Sequence, residues 1–212
     1  MLLGLVLEVG SSRVVVSVIL RSFQVRVVVS SLVWSLALVF LLAGLGTWDR
    51  AKAEPPISGD MIKYISLGDP VSVPETSFIG PDGQSIKLAD FLGRIVLINF
   101  WATWCAPCIR ELPEIDQLRI AIPGEDLEVM LISIDRGGAE VYQPFLEKIG
   151  VYNIKSGSDP RAKLLRAMRA PGIPFTALID REGRMVGKLI GNARWGSAEA
   201  QALIKHYLEF GK

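Results

Sequence analysis

From residue 95 to residue 101 the chain reads Ile-Val-Leu-Ile-Asn-Phe-Trp, apolar at all but one position, which is the pattern of a strand buried on both faces. Ile109, Leu112, Ile115 and Leu118 then recur every third residue and suit one face of a helix over 105–121, which Pro113 should kink. Residues 127–134 repeat the buried-strand pattern, 139–148 read as a helix closing at Gly150, and 153–155 as a short strand. Asp159 is placed to cap a further helix with Pro160 at its first position, running to Met168. Two turn sequences, Gly80-Pro-Asp-Gly83 and Asp180-Arg-Glu-Gly183, each sit between strand-like segments and predict β-hairpins, 77–79 with 85–88 and 175–179 with 185–190. A short helical turn at 89–92 ends at Gly93, and Ser197 opens a last helix reaching Phe210. Strands alternating with helices, followed by a hairpin and a terminal helix, predict an α/β fold: a three-layer α/β/α sandwich around a mixed central sheet.

The front of the chain has a different texture. Residues 27–48 carry no charge over 22 positions, long enough to span a bilayer as a helix. Arg13, Arg21 and Arg26 precede this span, and the excess of arginine on that side argues for residues 1–26 in the cytoplasm and the remainder outside it. The alternative is a cleaved signal segment, since Ala51-Lys-Ala53 matches a signal peptidase site. Residues 49–74, dotted with Pro55, Pro56, Pro70 and Pro74 and lacking any sustained period, read as a linker, so the folded domain is expected over 75–212.

Charge narrows the partners. The net charge is +1; five of the basic and two of the acidic residues lie in 1–53, leaving 18 basic against 20 acidic in the rest. No basic excess marks a nucleic-acid partner.

The only two cysteines, Cys105 and Cys108, lie at the junction between the first buried strand and the helix that follows it, in Trp101-Ala-Thr-Trp-Cys-Ala-Pro-Cys108. Two cysteines give no structural disulfide framework and too few ligands for a closed zinc site, and the single histidine, His206, leaves no cysteine–histidine nucleophile pair. What remains is a pair that closes and reopens a small ring. Cys105 would stand at the helix N-terminus, where free N–H groups and the helix dipole favour a thiolate, the attacking species. Cys108, one turn inside, would resolve the mixed disulfide. Pro107 costs the helix little in its first turn.

Strand, turn, Cys-x-x-Cys and helix are the layout of a thioredoxin-type redox site. With Asn99 before it and Glu111-Leu-Pro113 after it, the segment resembles the TlpA/ResA-like thioredoxins, membrane-tethered thiol-disulfide oxidoreductases of the bacterial cell envelope. The resemblance covers 75–211, and Ser133-Ile-Asp-Arg-Gly-Gly138 and Ala193-Arg-Trp195 look closest to the TlpA branch. It implies a thioredoxin-like fold, no cofactor and no resident metal. It also implies a protein-disulfide reductase facing the periplasm from the inner membrane in support of cytochrome c or cytochrome oxidase assembly. Its partners would be cysteine-containing envelope proteins (apocytochromes or oxidase-assembly factors), with electrons from a membrane donor of the DsbD/CcdA type.

Further site residues follow from the same resemblance. Asn99 stands where thioredoxin has a buried aspartate. Glu111 matches a glutamate near the cysteines that would raise a thiol pKa or shuttle a proton; the competing reading is a solvated glutamate paired with an arginine. Pro174 would be a cis-proline facing the site and exposing the Ile173 backbone to a substrate strand. Trp104 would line the docking surface, against the alternative of plain packing, and Trp101, Phe100 and Phe175 read as core. Two rival functions remain open. A Cu(I) metallochaperone would use the same thiols, but His206 lies in the wrong element for the distant histidine that Sco-type copper proteins add. A peroxiredoxin would need threonine where Ala102 stands.

Overall fold

Alternate residues of the 95–101 strand point to opposite sides of one sheet, and that alternation divides the core in two. In the computed structural model, which describes residues 54–211, Ile95, Leu97 and Trp101 face one layer of helices, while Val96, Ile98 and Phe100 face the other. The strands are β1 (Tyr64–Ser72), β2 (Phe78–Ile79), β3 (Ser85–Ile86), β4 (Ile95–Trp101), β5 (Leu127–Ser133), β6 (Lys155–Ser158), β7 (Phe175–Ile179) and β8 (Arg184–Ile190). The helices are α1 (Ala106–Ala121), α2 (Ala139–Lys148), α3 (Lys163–Ala167) and α4 (Ala198–Phe210), with 3-10 turns at Gly59–Met61 and Leu88–Phe91.

The sheet runs β1-β8-β7-β4-β5-β6-β2-β3. β4, β5 and β6 are parallel, and every other pairing is antiparallel, so the sheet is mixed as expected. One face is covered by α1 through Leu112, Ile115 and Leu118, by α2 through Tyr142 and Leu146, and by α4 through Leu203 and Ile204. The other packs Leu164, Leu165 and Met168 of the α3 region, with Leu88, against Phe175, Ala177 and Ile179. Phe100, Trp101 and Phe175 are core residues, as the sequence suggests. α1 runs through Pro113 as one helix, and α4 is capped by Ser197, whose Oγ accepts the Ala200 N–H at 3.2 Å.

Both hairpins form at the expected turns. At Asp180-Arg-Glu-Gly183 the Asp180 carboxylate accepts the N–H groups of Glu182 and Arg184. Gly183 closes the turn at φ 75°, a left-handed conformation that favours glycine.

Three expectations are corrected. Residues 54–74 are not a linker: β1 lies within them and pairs with β8, and Met61 and Tyr64 are buried. The pattern is faint because β1 is an edge strand whose register shifts between Ser66 and Val71, with Gly68 and Pro70 inside the irregularity, where an edge tolerates proline. Pro160 is not a first helical residue. The chain passes through Ala162 at φ 49° and α3 begins at Lys163, the Asp159 carboxylate reaching forward to the N–H groups of Lys163 and Leu165. The strand expected at 153–155 forms at Lys155–Ser158, since Asn153 is held instead by the Asp116 carboxylate. The span read at 27–48, with the segments flanking it, lies outside the described residues, among which no helix is long and apolar enough to cross a membrane.

Candidate active site

The buried strand β4 ends at Trp101, and the next three residues deliver Cys105 to the start of α1. Cys105 is the N-cap, with extended backbone at φ −92° and ψ 93°, and its N–H donates to the Ala102 carbonyl at 3.0 Å. Ala106 opens the helix and Pro107 follows it, so one of the four N–H groups that a helix start leaves unpaired is absent. Cys105 and Cys108 are joined as a disulfide, with Cα atoms 5.3 Å apart. Cys108 is fully buried and Cys105 retains 6% exposure, so only the first sulfur's residue reaches solvent.

The loop before the disulfide is clamped from the neighbouring strand end. Asp135, just past β5 and itself buried, accepts the Thr103 N–H at 2.9 Å and the Thr103 hydroxyl at 2.8 Å. It also accepts the Ser133 hydroxyl at 2.8 Å. The parallel pairing of β4 with β5, which sets Trp101 level with Ser133, brings these residues together. In the sequence Asp135 stands out only as part of Ser133-Ile-Asp-Arg-Gly-Gly138; the clamp joins residues 32 apart, a separation at which no local pattern speaks.

Glu111 lies one turn beyond Cys108 on α1, on the neighbouring-residue spacing of a helix. It is buried, which removes the solvated reading. Its Oε1 accepts the Asn99 Nδ2–H at 2.8 Å and its Oε2 accepts the Ala193 N–H at 3.2 Å. Burial pushes the carboxyl up to about 7; the Asn99 and Ala193 donors and the Trp195 indole pull it back, and Glu114 adds a further upward push. Asn99 also donates to Thr176 Oγ1 at 2.9 Å, so one amide links β4, α1 and β7. Thr176 and Trp195 were not singled out as site residues. The signal available for Trp195 was its place in the Ala193-Arg-Trp195 segment.

The Ile173–Pro174 peptide is cis. β4 and β7 pair Asn99 with Thr176 and Phe100 with Phe175, so Pro174 comes level with Trp101, at the strand end that leads to Cys105. Ile173 is half-buried and packs against both halves of the core. Trp104 is 68% exposed, beside Cys105 in the chain, which rules out the plain packing role. His206 sits on α4, its ring beside those of Tyr207 and Phe210. Among the described residues no group of three or more histidine, cysteine, aspartate or glutamate side chains comes together as a metal-holding set.

Known proteins resemble this arrangement. The family model described as AhpC/TSA matches residues 71–188. The chain is 30% identical over 112 residues to the thiol-disulfide oxidoreductase ResA of Bacillus cereus, covering 52% of this chain and 62% of that one. It is 28% identical over 126 residues to ResA of Bacillus subtilis, covering 59% and 69%. The match thus spans less than two-thirds of the Bacillus cereus relative. Both relatives carry the ResA name, not the TlpA name that residues 133–138 and 193–195 suggested. Among solved structures, a putative thiol:disulfide interchange protein DsbE from Chlorobium tepidum superposes with a TM-score of 0.58 at 26% identity, covering 69% of this chain and 100% of that one.

Proposed function

The chain belongs to the AhpC/TSA family, and from the geometry of its cysteine site we propose that it is a thiol-disulfide oxidoreductase that reduces protein disulfides through Cys105 and Cys108. The observation that carries the reading is the Cys105–Cys108 bridge at the start of α1, with the buried Glu111 carboxyl one turn behind it. The names of the ResA and DsbE relatives support the same chemistry.

The reaction starts from the dithiol. The Cys105 thiolate, favoured by the free N–H groups and dipole of α1, attacks one sulfur of a substrate disulfide. A mixed disulfide forms and the other substrate sulfur leaves, taking up a proton. Cys108 then loses its proton and attacks Cys105 Sγ, releasing the second substrate thiol. The substrate gains two electrons and two protons, and the protein ends as the disulfide seen here. Glu111, with a pKa near neutrality, is suited to accept the Cys108 proton at this step and return it when the dithiol is restored. Asn99 is its positioning residue. The peptide edge at Ile173–Pro174 is the surface on which a substrate strand would pair.

The setting we propose is the periplasmic face of a bacterial inner membrane, with residues 27–48 as anchor or signal segment. Substrates would be cysteine-containing envelope proteins of cytochrome c or cytochrome oxidase assembly, and electrons would come from a DsbD/CcdA-type membrane donor. The uncharged span and the arginines before it support this setting. A reductive role outside the cytoplasm requires electrons carried through the membrane. The test of the chemistry is stoichiometric: pre-reduced full-length protein, freed of reductant, should reduce one peptide disulfide per chain, and the Cys105→Ser variant none. Equal turnover by the variant would contradict it.

A further inference from the structure

Trp104, the chain neighbour of Cys105, lines a groove of about 1050 Å³ together with Arg136, Arg161 and Arg166. The three arginines come from separate places in the sequence. Arg136 follows β5, Arg161 precedes α3, and Arg166 lies on α3. All three are exposed, and none forms an ion pair with the described residues. The one carboxylate that lines the groove, Asp135, is buried, and both its oxygens are committed to Thr103 and Ser133. Its charge is directed into the loop clamp. The groove is therefore a local concentration of positive charge in a region of the chain that carries 18 basic against 20 acidic residues overall.

We propose that this groove docks an acidic segment flanking the cysteines of the substrate protein. The inference rests on the oxidoreductase reading and adds a substrate class to it. Guanidinium groups recognise carboxylates in a two-pronged geometry, and tryptophan and arginine are the residues that most often anchor interfaces. Trp104 adjoins the attacking cysteine in the chain. A peptide lying across its ring reaches the arginine wall with residues a few positions from its own disulfide, and the exposed charges steer the encounter.

The test compares two synthetic peptides sharing one internal disulfide, one flanked by three aspartates and the other by three asparagines, each reduced by the pre-reduced full-length protein. The proposal expects the acidic peptide to react about tenfold faster at low ionic strength. The ratio should fall toward one at about 1 M salt, where screening acts within ~3 Å. Combined Arg136→Glu, Arg161→Glu and Arg166→Glu should reverse the preference toward a lysine-flanked peptide, a gain that misfolding cannot imitate. Equal rates for the aspartate and asparagine peptides, or an acidic preference that survives charge reversal, would overturn the docking proposal while leaving the reductase reading in place. Failure of wild-type protein to reduce either peptide would defeat the reading beneath it. Binding to anionic phospholipid vesicles that charge reversal abolishes, with no peptide preference, would assign the arginines to a membrane surface and overturn the proposal.

Discussion

Asn99 and Glu111 meet inside the core, the Asn99 amide donating to the carboxyl Oε1 at 2.8 Å, one helical turn behind the disulfide. The contact joins the strand that delivers the active-site loop to the helix that starts with Cys105. It places a titratable group where water does not reach, and the pH behaviour of the site follows from it.

In the folded chain Glu111 holds its proton up to about pH 7, whereas its ordinary value is 4.5. Between those values the folded state binds more protons than the unfolded state, so stability falls as pH rises through the window. The contribution is about 3 kcal/mol, present in full below the lower value and lost above the upper one. Denaturant unfolding of the oxidised protein at several pH values should show this loss, and Glu111→Gln should remove most of it. In the reduced protein the same substitution should lower at least one active-site thiol pKa, because a nearby carboxylate disfavours thiolate. Thiolate absorbance checks this, and unchanged titration curves would separate Glu111 from the thiols.

Asn99→Ala deletes a donor that stabilises the ionised carboxylate, so the Glu111 pKa should climb further above its already raised value. Carbon-detected NMR of the glutamate carboxyl resonances follows the shift. A fall in that pKa would contradict the assigned role of the amide.

Much of this site could be read from the chain alone, and the divisions have physical causes. The 95–101 strand and the helix beginning beside Cys105 announced themselves because both faces of β4 and one face of α1 are buried, which writes a strong apolar pattern. Glu111 stands out in the sequence only through the family resemblance, with a solvated glutamate as the competing reading; that it is buried depends on Asn99 from β4 and Ala193 from the segment before α4 closing over it. The Asp135–Thr103 clamp depends on the pairing of β4 with β5, which no local signal encodes. β1 escaped notice because an irregular edge strand buries little beyond Tyr64 and tolerates Pro70.

Asp135→Ala should loosen the loop that carries Trp104 and Cys105. It removes acceptors for the Thr103 N–H and O–H and the Ser133 hydroxyl, at a cost of roughly 2–4 kcal/mol from hydrogen bonds to a charged group. The diagnostic readout is the Thr103 amide, whose hydrogen exchange should quicken more than that of amides in β7. Uniform acceleration across the sheet would mean that Asp135 supports the fold at large and not this loop.

The proposed setting makes its own prediction. Reporters fused after Trp48 should give active alkaline phosphatase and a dark cytoplasm-only fluorophore, since the arginines before the span keep the N-terminal side inside. The opposite pattern would put the redox domain in the cytoplasm and remove the cytochrome-assembly role.

The assignment of Cys105 as nucleophile and Cys108 as resolving cysteine is the claim on which the mechanism turns, and the mixed disulfide tests it most directly. Full-length Cys108→Ser protein, reduced and mixed with a peptide disulfide, should accumulate a covalent adduct that mass spectrometry locates on Cys105. Cys105→Ser should accumulate little, because the Cys108 sulfur is fully buried behind it. Rapid adduct formation at Cys108 in the Cys105→Ser protein, with none at Cys105 in the other variant, would contradict the account.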